Sequence, residues 1–216
     1  MSDRTLCRLA LVLLAAELLV AALIGSAMAA YPASYSWSKH FLSAMGLTRL
    51  RDGTPNGWSF FLFNGALLLA GVASALYFAA RSRAGGHPAL RFAMAGVGVV
   101  AGLALAAIGM TPYDLLPETH NCCTYVASGF GVAIMLAALQ PTGRFGSAAE
   151  NSIWAACGVF VLLLWAALRY LAVTGQLPRT PTFQFMQKML VGFFFLYMLW
   201  QTAALYRRTR RRGADR

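Results

Sequence analysis

The chain has 216 residues, 59% hydrophobic and only 12% charged, with a mean hydropathy of +0.60 and a formal net charge of +11. Soluble domains are about half apolar and about a quarter charged, so this composition excludes an ordinary water-soluble domain. The arginine excess then belongs to a membrane surface, and no aromatic or folded platform beside it points to nucleic acid.

In chain order, apolar runs near or above the roughly 18 residues needed to cross a bilayer cover residues 7–29, 58–80, 92–110, 122–139, 153–173 and 185–206. Each is expected to be a helix, because lipid cannot satisfy exposed backbone amides. Arg4, Arg8 and the small residues around Ser26-Ala27-Met28 give the first run the look of a secretory signal, but it is longer than a signal core and contains Glu17. It is read as a retained helix. Glu17 must face the bundle interior, with Ser74 and Tyr77 as its candidate partners by depth. It reads either as a ligand group in a proton or cation pathway or as a lone hydrogen-bonded acid that fixes helix packing.

The long connection over residues 30–57 places Trp37, Phe41, Leu42, Met45 and Leu50 at helix-like spacing, which predicts a short amphipathic helix at the interface. In the third run Gly98 and Gly102 stand four apart among alanines, a spacing that lets two helix backbones approach closely. This helix is expected at the bundle centre, with homo-oligomer contact through the same face as the other reading. The polar segment 111–121 follows, carrying Asp114, Glu118 and His120 but no Lys or Arg. The four cysteines, Cys7, Cys122, Cys123 and Cys157, lack zinc-like spacing and read as packing residues. In the sixth run Phe193, Phe194, Phe195, Tyr197 and Trp200 are expected to face lipid, and the basic tail 207–216 ends the chain.

In a six-span arrangement Arg4, Arg8, Arg81, Arg83, Arg91, Arg144 and the tail arginines share one side, whereas Lys39, Arg49, Arg51, Arg169, Arg179 and Lys188 lie opposite or at helix ends. The positive-inside rule then puts both termini in the cytoplasm. The expected fold is an all-α membrane protein: one integral domain, residues 1–216, with six helices in three antiparallel hairpins, multi-pass in the cytoplasmic (inner) membrane. Membrane lipids are its expected partners, and the tail would attract anionic lipid.

The chemistry-bearing residues gather in the outer loops, and three readings fit them. His40, His120 and Asp114 would hold a divalent metal, imidazole plus carboxylate being an ordinary zinc set, although the ligands come from separate loops. Alternatively, Asp114 would orient His120 as a general base acting on Ser43 or on a water that attacks a lipid ester; no nucleophile elbow marks a serine. In the third reading Asp114 caps a turn and His120 merely opens the fourth helix. Arg169 and Lys188 stand at the outer ends of the last two helices, where they would bind a headgroup phosphate or snorkel to the interface.

Tyr31-Pro32 and Leu42-Ser43-Ala44-Met45-Gly46 in the first outer loop are followed by Phe63-Asn64-Gly65, by Gly109-Met110-Thr111-Pro112-Tyr113-Asp114 and by His120. This layout resembles the bacterial membrane family catalogued as domain of unknown function 998, and more distantly the eukaryotic six-helix proteins linked to lipid remodelling of GPI anchors. The resemblance implies a six-helix bundle with an outer polar cluster and points to Ser43, Gly46, Pro112, Asp114 and His120. The chain departs from the family in carrying Ala44 where an acidic residue is common and Met45 where Leu is common. The expected function is an outer-face polar site that binds or remodels a lipid or amphiphile; the alternative is a non-enzymatic structural or transport protein.

Overall fold

The structure, a computed structural model, describes residues 2–83, 87–140, 147–175 and 181–214. Among them seven α-helices follow one another: α1 (Asp3–Ala29), α2 (Gly57–Arg81), α3 (Pro88–Met110), α4 (Pro117–Ala127), α5 (Phe130–Ala138), α6 (Ala148–Val173) and α7 (Pro181–Ala214), with a 3-10 helix at Leu42–Gly46. Their starts carry the expected chemistry. Ser2 caps α1 by accepting the Thr5 N–H, Pro88 and Pro117 sit in the first turns of α3 and α4, and Ser147 and Glu150 form a capping box on α6.

Five helical stretches are long and apolar enough to cross a bilayer: α1, α2, α3, the α4–α5 pair (Pro117–Ala138) and Gln184–Arg211 of α7. In α6 the apolar stretch Ala149–Leu164 is shorter. This is an all-helical, multi-pass membrane protein.

Helix α3 packs on α2, α4 and α5, while α1 lies against α2 and α7. The α2–α3 contact is backbone on backbone. A Cβ added at Gly71 would lie 2.3 Å from the Ala106 nitrogen, and one at Gly102 would lie 2.7 Å from the Ala75 nitrogen. In lipid such close approach supplies packing energy that the hydrophobic effect does not. The small-residue stripe of α3 therefore works within the chain. Around it Leu13, Tyr77, Phe78, Met94, Phe130, Tyr197 and Leu205 form the main core.

Four expectations change. The span expected over residues 122–139 begins earlier, at Pro117, and breaks at Ser128-Gly129 into α4 and α5. Its first turn, with Glu118 and His120, is too polar for hydropathy to reveal, and Gly/Ser pairs are a common cause of breaks. The amphipathic helix shrinks to Leu42–Gly46, because side-chain amides take the carbonyls that a longer helix would use. The aromatic stretch of α7 does not simply face lipid: Tyr197 and Met198 are buried, Phe193 packs on Trp154 and Phe194 on Phe130. Finally, α7 continues as helix well into the basic tail.

Candidate functional site

The polar loop residues assemble around two asparagines. Asn56 Nδ2 donates to the Met45 carbonyl at 2.7 Å, to Leu47 at 2.8 Å and to Ala44 at 3.3 Å, and Asn64 Nδ2 donates to the Gly46 carbonyl at 3.1 Å. These amides replace the bonds that the 3-10 helix cannot make internally. A Cβ on Gly46 would sit 2.7 Å from Asn64 Oδ1 and 2.9 Å from the Phe63 ring, so only glycine lets the loop close on α2. From the other side Gly109 lies against the Asn64 carbonyl. The motif segments of residues 42–46, 63–65 and 109–114 thus meet in one clasp.

Asp114 completes it. Its carboxylate accepts the Thr48 N–H at 3.0 and 3.1 Å, the Thr48 hydroxyl, and the Arg49 N–H at 3.2 Å. Partial desolvation raises its pKa, but these hydrogen bonds outweigh that and hold the carboxyl below the usual aspartate range. Pro112, buried, offers its carbonyl to the Leu115 and Leu116 N–H groups and so builds the turn that aims Asp114 at the first loop. Asp52, further along that loop, accepts the Thr54 N–H in a local turn of its own.

His120 is 8% exposed, and its Nδ1–H donates to the Thr111 carbonyl at 2.7 Å. In the neutral ring this leaves the lone pair on Nε2. His40 has the opposite arrangement: Nδ1 accepts the Ser36 N–H at 3.1 Å, and the ring lies between Tyr31 and Tyr35, at 5.4 and 5.6 Å between centroids. The expected dyad is therefore not formed, since the hydrogen bonds of Asp114 go to Thr48 and Arg49 and not to His120. Ser43 is half-buried on the 3-10 helix and is hydrogen-bonded by neither. Nor do His40, His120 and Asp114 make a metal set: among the described residues no group of three His, Cys, Asp or Glu side chains converges. Nor does Asp114 cap the following turn, since α4 has Leu116 at its N-cap with no side-chain bond and the Asp114 carboxylate is turned to the first loop; His120 lies in the first turn of α4.

Lys188 lies where the first loop meets α7. Its ammonium donates to the carbonyls of His40 and Gln184 and stands over the rings of Tyr35 and Trp37, at 5.7 and 5.9 Å. Beside it Gln187 accepts the Leu42 N–H at 3.0 Å. The Tyr35 hydroxyl and the Gln184 side-chain oxygen are buried without a hydrogen-bond partner among the described residues. Burial, followed by the neighbouring Tyr31, pushes the Tyr35 pKa up, so the phenol is a neutral donor. Trp37, 55% exposed, flanks the cluster. The Arg169 side chain, expected nearby, lies outside the described residues, as does Arg179.

A second polar layer runs through the bundle. Glu17, 5% exposed, accepts the Thr202 hydroxyl at 2.9 Å, so its partner is on α7 and is neither Ser74 nor Tyr77. Next to Thr202, Gln201 links three helices: its amide oxygen faces the Arg81 guanidinium at 3.3 Å and the Tyr77 hydroxyl at 3.4 Å, and its amide nitrogen donates to Asn151 at 3.1 Å. Arg81, 3% exposed, also donates to Tyr77 at 2.9 Å and to the Ala137 carbonyl at 3.2 Å in the last turn of α5. A cation at that helix end meets the negative pole of the dipole. Read from the sequence as a cytoplasmic loop charge, Arg81 is instead buried. The signal available was Tyr77 one turn before it, together with the polar pair Gln201-Thr202 within an apolar run. Toward the loop end Val20, Ala66 and Leu190 are buried between the level of Glu17 and the buried polar residues Asn64 and Lys188.

No protein-family model, curated protein or solved structure matches this chain.

Proposed function

We propose that this chain is a lipid-binding protein of the cytoplasmic membrane, with six helices in three hairpins and both termini inside. At its outer end it holds the phosphate-bearing headgroup of a lipid or similar amphiphile without cleaving it. The observation that carries the reading is the Lys188 cluster: an ammonium with two of its three N–H groups on carbonyls, beside a buried phenol and a buried amide oxygen that lack hydrogen-bond partners among the described residues. Buried polar groups are nearly always satisfied. A headgroup phosphate would take the third Lys188 N–H and the Tyr35 hydroxyl, and an ammonium or hydroxyl on the same headgroup would donate to Gln184. Trp37 and Tyr35 suit the interface, where amphipathic rings concentrate.

The resemblance to the bacterial family of unknown function 998 belongs to this proposal, since residues 42–46, 63–65 and 109–114, which carry much of it, meet in the clasp, and Leu42 of the clasp donates to Gln187 beside the cluster. Binding is favoured over hydrolysis because the carboxylate that would orient His120 is engaged with Thr48 and Arg49. It is favoured over transport because apolar Val20, Ala66 and Leu190 are buried between the level of Glu17 and the polar residues of the loop end.

The test uses the full chain, purified, stripped with excess detergent and titrated with phosphatidylethanolamine under native mass spectrometry. One tightly retained lipid in the wild type, lost in Lys188→Met and weakened in Tyr35→Phe at unchanged melting temperature, is the expected outcome. Equal retention by Lys188→Met, or none by the wild type, rules the reading out. Release of fatty acid or lysolipid during incubation would restore the hydrolytic alternative.

A further inference from the structure

The tail arginines are not equivalent. Because α7 stays helical through residues 207–211, its period divides them between two faces. Arg208 turns inward and pairs with Glu150 at 2.8 Å, and Thr209, buried, donates to the Leu205 carbonyl. Arg207, Arg210 and Arg211, at positions i, i+3 and i+4, share the opposite face and are exposed. Arg210 and Arg211 make no hydrogen bond or ion pair to the described residues, and the contact of Arg207 is with an aromatic face: its guanidinium stands 5.6 Å from the centre of the Trp200 ring. Together with Tyr206 the three arginines line a shallow concavity.

Three like charges within one turn repel one another and disfavour the helix that holds them. Glu150, near this end of α7, is engaged by Arg208. The ladder from Trp200, 42% exposed, to Arg207 and then to Arg210 and Arg211 passes from aromatic to cationic within about three turns. Such a sequence of side chains spans the boundary between hydrocarbon and headgroups. Planar guanidinium forks match phosphate oxygens in pairs.

We propose that Arg207, Arg210 and Arg211 form a binding site for a membrane lipid whose headgroup carries two phosphates, with Trp200 seating the adjoining glycerol and acyl region. The site is separate in residues and position from the Lys188 cluster and stands or falls independently of it. A lipid is favoured over a soluble polyanion because the arginine face continues directly into the apolar, lipid-exposed stripe that holds Trp200 and Leu196.

The experiment titrates cardiolipin and, separately, the singly charged phosphatidylglycerol into the detergent-solubilised full chain under native mass spectrometry. Wild type, Lys188→Met and the triple variant Arg207→Gln, Arg210→Gln, Arg211→Gln are compared. Cardiolipin is expected to bind the wild type and Lys188→Met about tenfold or more tightly than phosphatidylglycerol does. The triple variant is expected to lose that preference while keeping the wild-type melting temperature. A triple Lys variant, which keeps the charge but loses the forks, is expected to recover only part of the preference. Cardiolipin binding unchanged in the triple Gln variant overturns the site. So does complete displacement of the lipid by an equal concentration of pyrophosphate or of a short RNA, which would show a general polyanion surface.

Discussion

The Asp114 carboxylate closes on Thr48, 66 residues earlier in the chain, accepting both its N–H and its hydroxyl. This pairing joins the turn after α3 to the loop before α2 and makes the two loops one unit.

Asp114→Ala is therefore expected to loosen the first loop rather than to remove a catalytic group. Because Asp114 is solvent-exposed, its several hydrogen bonds together should contribute only about 1 kcal/mol. Amide hydrogen exchange should accelerate at Thr48 and Arg49 while the bundle core stays protected. A core that loses protection along with the loop would contradict this.

The same carboxyl predicts a pH dependence. Its pKa is lowered in the folded chain, so its stabilisation is fully present above the ordinary aspartate value near 4 and disappears as pH falls through the depressed folded value. Between about pH 3 and 7 the melting temperature of the wild type should fall at the acid end more than that of Asp114→Asn. Parallel curves for the two proteins would remove Asp114 as the titrating group.

Asn56→Ala should be more damaging than Asp114→Ala. The Asn56 amide is fully buried and serves the carbonyls of Ala44, Met45 and Leu47, which would lose partners in a water-poor place. A loss of about 2–3 kcal/mol is expected, with the 3-10 helix unfolding locally. Asn56→Asp should not rescue it, since a carboxylate cannot donate. Chemical denaturation in mixed micelles measures both.

At the α2–α3 contact Gly102→Val should prevent close packing, because even the first added carbon meets the Ala75 backbone at 2.7 Å. Overpacking of this kind costs about 1–3 kcal/mol or more. Gly96 on the same helix has no neighbouring atom within 4 Å of an added Cβ, so Gly96→Ala should be neutral or stabilising by up to about 1 kcal/mol. Thermal melts of the pair separate close contact from general intolerance of substitution in α3.

Arg81→Lys tests whether the buried guanidinium acts through its charge or through its shape. One ammonium cannot reproduce the fork that serves Tyr77, Gln201 and the Ala137 carbonyl at once. Arg81→Lys and Arg81→Met should both destabilise, by about 3 kcal/mol for the latter. Full stability in Arg81→Lys would mean that charge at the end of α5 is sufficient.

Apolar runs and the Gly98 and Gly102 spacing were legible in the chain because each is a local property. Composition compels helices in lipid, and a missing Cβ permits close approach wherever the partner lies. The first turn of α4 escaped notice because its polar residues hide it from hydropathy. The segments that make the clasp also stood out by residue type, yet their duty did not: Asp114 and His120 fitted a general-base dyad, a metal set with His40, or a turn cap beside a helix start.

Only the tertiary structure shows where their hydrogen bonds go. Hydrogen bonding is directional and pairs groups that lie far apart in sequence, so nothing local could reveal that Asp114 faces Thr48, that Glu17 meets Thr202 on the last helix, or that Arg81 turns inward to Gln201. By itself the sequence determined the solvent of the fold and the helical character of its spans, since those follow from composition and period. Which polar groups meet, and so where a ligand is to be sought, depended on how the helices pack.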